Sequence, residues 1–450
     1  MVNRKPKTII NLLQMLGDFV LVNLAIVLLV KYIFNGNEPW QDLQAKLIFI
    51  LLTTVIAKIT FEFFGLYDNE EKTWTEQIAS LIVSLVFLNL LMVVVLYIMG
   101  IHDLSLKLLL LIPVVQFATL FIWHWFIFEI ERRMTLPSRT IIIAPSTEIG
   151  EIIEKVDNGF DQILGVVSDT QTQINNDKYR WLGTYQDMME VCSTYKPDKI
   201  IISGNTPEEY KKIAVQKSIK FEVEVLVIPG LYEIMLSQNP IGQIKDTLVF
   251  RVGTADNVGK EHIKRIIDLG LGLVGLIIFF PVMLIVALLI KLESPGPIIY
   301  SQERISLHGK RFMLLKFRTM VQGAEDKTGP VLATEQDPRI TKVGRFLRAT
   351  RLDELPQIFN IIKGDMSFVG PRPERPFFVE QFEKTVPDYY FRHFIKPGLT
   401  GLAQIAGRYS TSVEDKIRYD LLYLQKFSLL LDLQIILLTI KVILMKDKAS

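Results

Sequence analysis

The first third of the chain is a series of long apolar runs separated by short polar segments. Four such runs occupy Ile9–Phe34, Leu43–Phe64, Ile78–Met99 and Leu108–Phe128. Each reaches the roughly 20 residues that a helix needs to cross a bilayer. The pattern therefore predicts four transmembrane helices within residues 1–135.

Basic residues stand at both ends of this region. Arg4, Lys5 and Lys7 precede the first run, and Arg132 and Arg133 follow the last. Because such clusters stay in the cytoplasm, and because an even number of spans returns the chain to its starting side, the parts that follow are expected in the cytosol. The first run is too long for the apolar part of a cleavable signal peptide, so we do not expect one.

Residues 136–250 show a different pattern, in which short β-branched runs alternate with polar helical stretches such as Thr147–Val156. This alternation predicts a parallel, Rossmann-like sheet. The predicted strands are Thr140–Ala144, Ile163–Val167, Lys199–Ser203 and Val223–Ile228.

The turn after the first predicted strand reads Ala-Pro-Ser-Thr-Glu-Ile-Gly. It lacks the glycines of the GxGxxG fingerprint that let a backbone approach a pyrophosphate. A role of this module in assembly or regulation is therefore favoured over nucleotide binding, and both alternatives stay open.

The last part, residues 251–450, opens with another apolar run between Lys264 and Lys291. A fifth crossing would place the remainder of the chain outside the cell, and cationic flanks on both sides disfavour it. Pro281, near the middle of the run, removes a backbone donor and kinks a helix. We therefore predict a re-entrant membrane helix over residues 264–292 that bends at Pro281 and returns to the same face.

A second apolar stretch lies near the C-terminus, where Asp432, Gln434 and Lys441 interrupt it. Charges inside a membrane span are costly. A helix lying in the interface is therefore favoured over a transmembrane helix.

Basic residues recur every third position before the adjacent acids Asp353 and Glu354. Their spacing predicts a helix with a basic face opposite an apolar one. A solvated surface helix is one interpretation; after a membrane-dipping run we favour an interfacial helix that gathers phosphate-bearing ligands. The basic residues are Arg339, Lys342, Arg345, Arg348 and Arg351.

Asp353 and Glu354 have two interpretations. Acids near a helix end are common, and Pro356 can mark a helix boundary. Against this, the neighbouring arginines could hold both carboxylates ionised and also bind phosphate oxygens. Arg372 stands between two prolines that stiffen its backbone, and a glycine-rich loop ends at Arg408. These features favour a reacting centre.

Composition excludes several other kinds of site. The chain has one cysteine, Cys192, and five scattered histidines, so neither an intramolecular disulfide nor a usual zinc pattern is expected. Basic residues number 50 and acidic residues 48, so net charge identifies no partner. A metal would be held by oxygen atoms.

From about Lys264 to Lys446 the chain resembles the bacterial sugar transferase family, the polyprenyl-phosphate phosphoglycosyl transferases. Five blocks in order carry the resemblance: KRIIDLGLGL, LESPGPIIYSQERI, LKFRTM, RLDELPQIFNIIKGDMSFVGPRPE and IKPGLTGLAQIAGR. With the four spans and the Rossmann-like module, the chain is similar to the long members, the undecaprenyl-phosphate glucose or galactose phosphotransferases. One departure is Phe280, where the family often has serine before the bend proline.

The resemblance implies a role for each matching residue. Asp353 would attack the β-phosphorus of a UDP-sugar, expelling UMP and forming an aspartyl-phosphosugar, and Glu354 would ligate Mg²⁺. Undecaprenyl phosphate would then accept the phosphosugar. The residues implied to hold phosphate oxygens are Arg348, Arg372, Lys316, Arg318 and Arg408.

The resemblance also implies a membrane α-helical plus α/β architecture, with a mainly helical catalytic domain on the cytosolic face of the bacterial inner membrane. The expected partners are a UDP-sugar, undecaprenyl phosphate, the lipid bilayer and a second copy of the chain, with no nucleic acid. Two rivals stay open: a membrane glycosyltransferase that releases UDP, and a non-enzymatic assembly or regulatory protein. Neither the sugar nor the polysaccharide pathway can be read from the sequence.

Overall fold

The computed structural model has two compact units, Met1–Gly230 and Leu231–Ser450, which are described separately. The three-part division at residues 135 and 250 stays a prediction. The structure describes residues 4–34, 43–67, 73–99, 106–134, 137–157, 161–171, 179–221, 223–237, 241–244, 247–250, 258–324, 337–386, 388–407 and 411–443.

All four apolar runs of the first unit form helices, as predicted. They are α1 (Arg4–Phe34), α2 (Leu43–Phe63), α3 (Trp74–Ile98) and α4 (Leu106–Met134). Among the described residues, four helical segments are long and apolar enough to cross a membrane; three belong to this bundle and the fourth to the second unit. The four segments are Ile10–Leu28, Trp74–Ile98, Leu109–Arg133 and Glu261–Glu293.

The interior of this bundle contains a small polar cluster. Asp18 is fully buried; its carboxylate lies 2.9 Å from His124 Nε2 and accepts a 2.8 Å hydrogen bond from the Tyr67 hydroxyl. Gln14 lies 3.1 Å from the other ring nitrogen of His124. Buried polar groups need hydrogen-bond partners, and in this cluster α1, α4 and Tyr67, which follows α2, supply them to one another.

The parallel sheet predicted for the first unit is confirmed. Its five strands are all parallel, in the order β3-β2-β1-β4-β5. The prediction missed β3, a four-residue strand that contains a glycine. The elements are β1 (Arg139–Ile143), α5 (Ile149–Val156), β2 (Gln162–Ser168), β3 (Trp181–Thr184), α6 (Met188–Tyr195), β4 (Lys199–Ser203), α7 (Glu208–Phe221) and β5 (Glu224–Ile228).

The second unit combines helices with three two-stranded sheets, β6-β7 and β8-β9 antiparallel and β10-β11 parallel. Its elements are α8 (Leu231–Ser237), β6 (Ile241–Ile244), β7 (Thr247–Phe250), α9 (Val258–Glu293), β8 (Ile299–Ile305), β9 (Arg311–Phe317), α10 (Lys342–Ala349), α11 (Gln357–Lys363), β10 (Ser367–Val369), α12 (Pro376–Thr385), β11 (Gly398–Thr400), α13 (Leu402–Ala406), α14 (Val413–Lys426) and α15 (Leu429–Ile443).

Helix α9 is the long helix of this unit, with 36 residues, and it continues through Pro281 without a break. Near its start, Arg265 donates 2.6 Å hydrogen bonds to two carbonyl groups at the end of α11. Near its end, the Glu293 carboxylate accepts the Val343 N–H at the start of α10. The segment from α10 to α11 therefore runs antiparallel along α9. The re-entrant course of α9 stays a prediction.

Helix α15 is tied to the start of α9 by a buried ion pair. Lys264 Nζ lies 2.5 Å from the Asp432 carboxylate, which also accepts a 2.6 Å hydrogen bond from the Tyr423 hydroxyl. The apolar side chains of Ile435 and Val442 are buried as well. Asp432, which the sequence presents as a charge interrupting an apolar run, is thus an internal contact of the folded unit.

Candidate active site

The two adjacent acids lie in a tight turn that sits on α9. Arg351 adopts the left-handed conformation (φ 55°), which non-glycine residues rarely adopt, and a 3-10 turn follows over Leu352–Glu354. Leu352 and Leu355 pack into an apolar cluster that the second half of α9 forms together with Phe317 of β9 and Leu347 of α10. Because these two leucines pack into the shared cluster, one side of the turn is apolar and fixed, and the two carboxylates lie between the leucines along the chain.

Strand β9 brings Lys316 to the acids, and Asn360 of α11 aligns the strand. The Asn360 side chain accepts a hydrogen bond from the Leu315 N–H (3.0 Å) and donates one to the Met313 carbonyl (2.8 Å). These two bonds reproduce the pairing that another strand would give. They fix the register of β9 against the segment that carries Glu354.

Glu354 is held by two cations. Its Oε1 atom accepts hydrogen bonds from Lys316 Nζ (2.8 Å) and from an Arg372 terminal nitrogen (3.0 Å). Burial by itself raises the pKa of Glu354, but Lys316, Arg372 and Arg351 more than offset burial, so this pKa lies well below its ordinary value. Glu354 is therefore ionised throughout the physiological range.

Asp353 has a different environment. It is buried, and Lys316 Nζ lies 3.9 Å from its Oδ2 atom, beyond hydrogen-bond distance. Burial raises the pKa of Asp353; Lys316 opposes this shift and the neighbouring Glu354 adds to it. Within the described part of the chain, its carboxylate accepts no hydrogen bond. Its oxygens are thus less engaged than those of Glu354.

A rigid loop presents Arg372 to Glu354. The Gly370 N–H donates to the Thr400 carbonyl and the Gly398 N–H donates to the Pro371 carbonyl, both at 2.9 Å. A Cβ atom on Gly370 would lie 2.2 Å from the Lys396 carbonyl oxygen, so glycine is needed for this close approach. The Arg372 side chain is 45% exposed, and its ion pair with Glu354 raises its pKa.

The remaining predicted phosphate-binding residues are placed differently. Arg348 is half-buried, donates a 2.9 Å hydrogen bond to the Thr319 hydroxyl and acts electrostatically on Asp353. Arg318 is buried, and its guanidinium donates to the carbonyls of Ser294 and Pro295 just beyond α9. The described contacts do not bring Arg318 to the acids, and its predicted role stays untested. Arg408 lies outside the described residues.

Sequence reasoning missed two residues that build the site and assigned a third, Arg351, to the wrong element. Asn360 aligns β9, Arg351 forms the left-handed turn, and the buried Arg392 contacts the loop of Arg372. The predicted basic helix includes Arg339 and Arg351, but α10 spans only Lys342–Ala349, so Arg339 precedes it and Arg351 lies in the turn that follows. Nothing in the local pattern around Asn360 or Arg392 indicates their contacts with strands and loops distant in the sequence.

The site can be compared with the needs of Mg²⁺. In the described ranges, no group of three or more His, Cys, Asp or Glu side chains could hold a metal ion alone. Magnesium is commonly bound by one or two carboxylates together with substrate phosphates and water. Glu354 Oε2, which takes part in neither of the two ion pairs, and the Asp353 carboxylate fit that donor set.

Comparison with known proteins identifies the family to which the chain belongs. Residues 259–446 match the family described as "Bacterial sugar transferase". Over 185 residues the chain is 44% identical to the UDP-N-acetylgalactosamine-undecaprenyl-phosphate N-acetylgalactosaminephosphotransferase of Aeromonas hydrophila, covering 40% of this chain and 44% of that protein.

Two relatives are named for glucose. The UDP-glucose:undecaprenyl-phosphate glucose-1-phosphate transferase of Escherichia coli (strain K12) is 34% identical over 290 residues, covering 63% of this chain and 61% of that protein. The protein of the same name from Caulobacter vibrioides is 41% identical over 202 residues, covering 44% of this chain and 75% of that protein. The match thus spans about half to three quarters of each relative. The chain belongs to the bacterial sugar transferase family.

Proposed function

We propose that the chain transfers a sugar 1-phosphate from a UDP-sugar to undecaprenyl phosphate and releases UMP. The observation that supports this most is the contrast between the adjacent acids, one ionised and held by two cations, the other buried with few contacts. Neighbouring carboxylates whose pKa values are pushed apart are typical of a division of catalytic roles. The names of the relatives point to the same reaction class.

In the proposed first step, an Asp353 carboxylate oxygen attacks the β-phosphorus of the UDP-sugar. A bond forms between that oxygen and phosphorus, the bridging P–O bond breaks, and UMP leaves with the bonding electrons. Covalent catalysis of this kind divides one difficult transfer into two easier steps. The low engagement of the Asp353 oxygens suits a nucleophile, because fewer hydrogen bonds must break before attack.

In the second step, a phosphate oxygen of undecaprenyl phosphate attacks the same phosphorus and Asp353 leaves. A phosphate monoester is largely ionised near neutral pH, so the acceptor needs no general base. The second step therefore requires no histidine as a base. The product is a diphosphate-linked sugar lipid, which would start exopolysaccharide, capsule or O-antigen synthesis.

Charge neutralisation is the main task of the other side chains, because phosphoryl transfer depends on positioning and electrostatics more than on covalent chemistry. Arg372 is half exposed beside Glu354 and would contact phosphate oxygens, and Lys316 would keep the two acids ionised together. Glu354, with Asp353, would hold Mg²⁺. When bound, Mg²⁺ would neutralise charge on the diphosphate.

The proposed location is the cytosolic face of the bacterial inner membrane. Helix α9 is about 54 Å long at 1.5 Å per residue, yet both of its ends contact the same folded unit, through Lys264–Asp432 and Glu293–Val343. Apolar side chains along its other side are exposed, among them Ile266 (71%), Ile277 (76%) and Leu292 (74%). These contacts support a helix that enters the membrane from one face. A homodimer stays a prediction.

The test is to trap the covalent intermediate. Membranes containing the protein would be incubated with UDP-sugars labelled in the β-phosphate, without acceptor lipid, and the label on the protein measured. We expect labelling of the wild type and none of Asp353→Asn, while Asp388→Asn, a half-buried acid outside the site, labels normally. Normal turnover of Asp353→Asn would refute the assignment.

Product analysis separates the rivals. Release of UMP supports phosphosugar transfer, whereas release of UDP would identify a glycosyltransferase that moves the sugar alone. The non-enzymatic alternative predicts that deleting the five-stranded sheet module abolishes function in cells while Asp353→Asn does not.

A further inference from the structure

Behind the loop that carries Arg372 lies a buried arginine, Arg392. It belongs to the 3-10 segment Tyr389–Phe394 and is 7% exposed. One of its terminal nitrogens donates a 2.9 Å hydrogen bond to the main-chain carbonyl of Arg372. The other donates to the hydroxyl of Tyr389. A single planar guanidinium thus connects the Arg372 backbone to the interior of the second unit.

Arg392 has a buried counter-ion, Asp420 of α14, whose carboxylate lies 3.0 Å from it. Both side chains are almost completely buried. Removing such a pair from water is costly, and well-packed apolar residues would often be as stable or more stable. Stability alone therefore does not account for the pair. What apolar residues could not supply is a fixed donor for the Arg372 carbonyl.

Three carbonyl groups of the loop are held in this way. The Pro371 carbonyl accepts the Gly398 N–H (2.9 Å), the Arg372 carbonyl accepts Arg392, and the Glu374 carbonyl accepts the Ile305 N–H (3.1 Å). Of the three donors, only Arg392 acts through a side chain. Arg392 also donates to the carbonyl of Arg372, the residue whose side chain contacts Glu354.

The backbone matters because the Arg372 side chain is half exposed. A long exposed side chain has many conformations, and its reach is defined mainly by where its backbone is anchored. The anchor lies on the buried side of the loop, and the guanidinium of Arg372 extends from the loop to Glu354. Displacement of the Arg372 carbonyl would therefore move the Arg372 guanidinium, which contacts Glu354 and, in the proposed function, the diphosphate.

We infer that Arg392, held by Asp420, is a positioning residue for phosphosugar transfer, which acts by fixing the main chain of Arg372. This inference rests on the proposed function. Arg392 touches neither substrate nor the reacting atoms; its effect passes through Arg372. Misplacing a substrate-positioning group by about 1 Å can cost about 100-fold in rate.

The first test is a double-mutant cycle on kcat/KM for UMP release. Arg392→Lys keeps a charge for Asp420 but cannot reach three partners with one planar group. We expect it to lower kcat/KM about 10- to 100-fold, and to have no further effect in an Arg372→Ala background. Equal losses in both backgrounds would show that Arg392 does not act through Arg372, and would overturn the inference.

A milder variant covers the case in which Arg392→Lys does not fold. Tyr389→Phe removes one hydroxyl partner of the guanidinium and keeps the ring that packs against it. We expect a smaller loss in the same direction, again absent in the Arg372→Ala background. Equal loss in both backgrounds would contradict the inference.

The second test does not depend on activity. Phenylglyoxal modification of the detergent-solubilised protein would be followed by peptide mass spectrometry at Arg372, with the exposed Arg345 as the internal control. The ion pair with Glu354 protects Arg372, so we expect its modification rate to rise severalfold in the two variants while Arg345 is unchanged. An unchanged rate at Arg372 would overturn the inference. A wild type that releases no UMP from any UDP-sugar would count against the proposed function alone.

Discussion

At the residue scale, the site depends on two neighbouring carboxylates that differ in their surroundings. Glu354 shares one oxygen between Lys316 and Arg372, whereas Asp353 has Lys316 only at 3.9 Å. The two adjacent acids therefore differ in how easily they ionise. The cations stabilise the ionised form of Glu354, whereas burial disfavours the ionised form of Asp353. Asp353, whose charge is destabilised by burial, is the residue that we propose as the nucleophile.

One prediction concerns stability. Burial raises the pKa of Asp353, so the folded state binds a proton at this residue more tightly than the unfolded state. The stability that this group contributes is present at low pH and is lost as pH rises through the raised pKa. We therefore expect Asp353→Asn, which is neutral at every pH, to unfold at a higher temperature than the wild type at pH 7.

The same prediction requires the difference to shrink as pH falls below the raised pKa of Asp353, where the wild-type carboxyl is neutral as well. Thermal unfolding in detergent between about pH 4 and pH 8 measures it. Glu354→Gln is the contrasting variant, since it removes the negative charge that Lys316 and Arg372 share and should lower the midpoint. A wild type more stable than Asp353→Asn at pH 7 would contradict the assigned environment.

At the element scale, α10 packs closely against the segment that follows β9, and Gly344 allows this close approach. A Cβ atom there would lie 2.1 Å from the Thr319 carbonyl oxygen, and this carbonyl also accepts the Thr341 N–H that begins the helix. The close approach lets Arg348 reach the Thr319 hydroxyl. Gly344 is therefore a packing requirement of the site, although it takes no part in the chemistry.

We predict that Gly344→Ala lowers stability by about 1–3 kcal/mol, as overpacking does, and lowers kcat as well, because α10 and Arg348 shift together. The control is Gly270→Ala in α9, where a Cβ atom meets nothing within 4 Å; there we expect no loss of activity. Unfolding midpoints and UMP release of the two variants, measured side by side, check the prediction. Equal behaviour of the two would show that the contact is not limiting.

At the scale of the whole second unit, α9 combines the length of a membrane span with contacts at both ends to one folded body. A crossing helix would separate its ends by the thickness of the bilayer, and the polar groups that begin and end α9 would then need partners on opposite sides. In the structure Lys264 and Glu293 both have partners within one unit. The exposed apolar side chains between them face away from it.

This arrangement predicts the accessibility of introduced cysteines. In a Cys192→Ser background, Lys310→Cys, which lies after α9, should react with a membrane-impermeant maleimide only after the cells are permeabilised. Asp103→Cys, between the third and fourth predicted spans, should react from outside. Labelling of Lys310→Cys in intact cells would show that α9 crosses the membrane, and would contradict the proposed location of the site on the cytosolic face.

Part of this architecture follows from the sequence because its causes are local. Apolar runs of about 20 residues predict membrane-length helices, and short β-branched runs predict the strands β1, β2 and β4, which are largely buried, and the edge strand β5, which is not. The adjacent Asp353 and Glu354 and the proline-braced Arg372 are likewise visible in the printed residues. Strand β3 was not predicted, because a four-residue segment that contains a glycine shows little hydrophobic periodicity.

The sequence by itself thus determined the kind of elements, the position of the acids and the family resemblance. Only the tertiary structure decided which cation serves which acid: Lys316 is 38 positions from Glu354 and Arg372 is 18. It also placed Arg318 beyond the end of α9 and Arg392 behind the loop of Arg372. The physical reason is that helices and strands arise from neighbours along the chain, whereas ion pairs depend on how those elements pack.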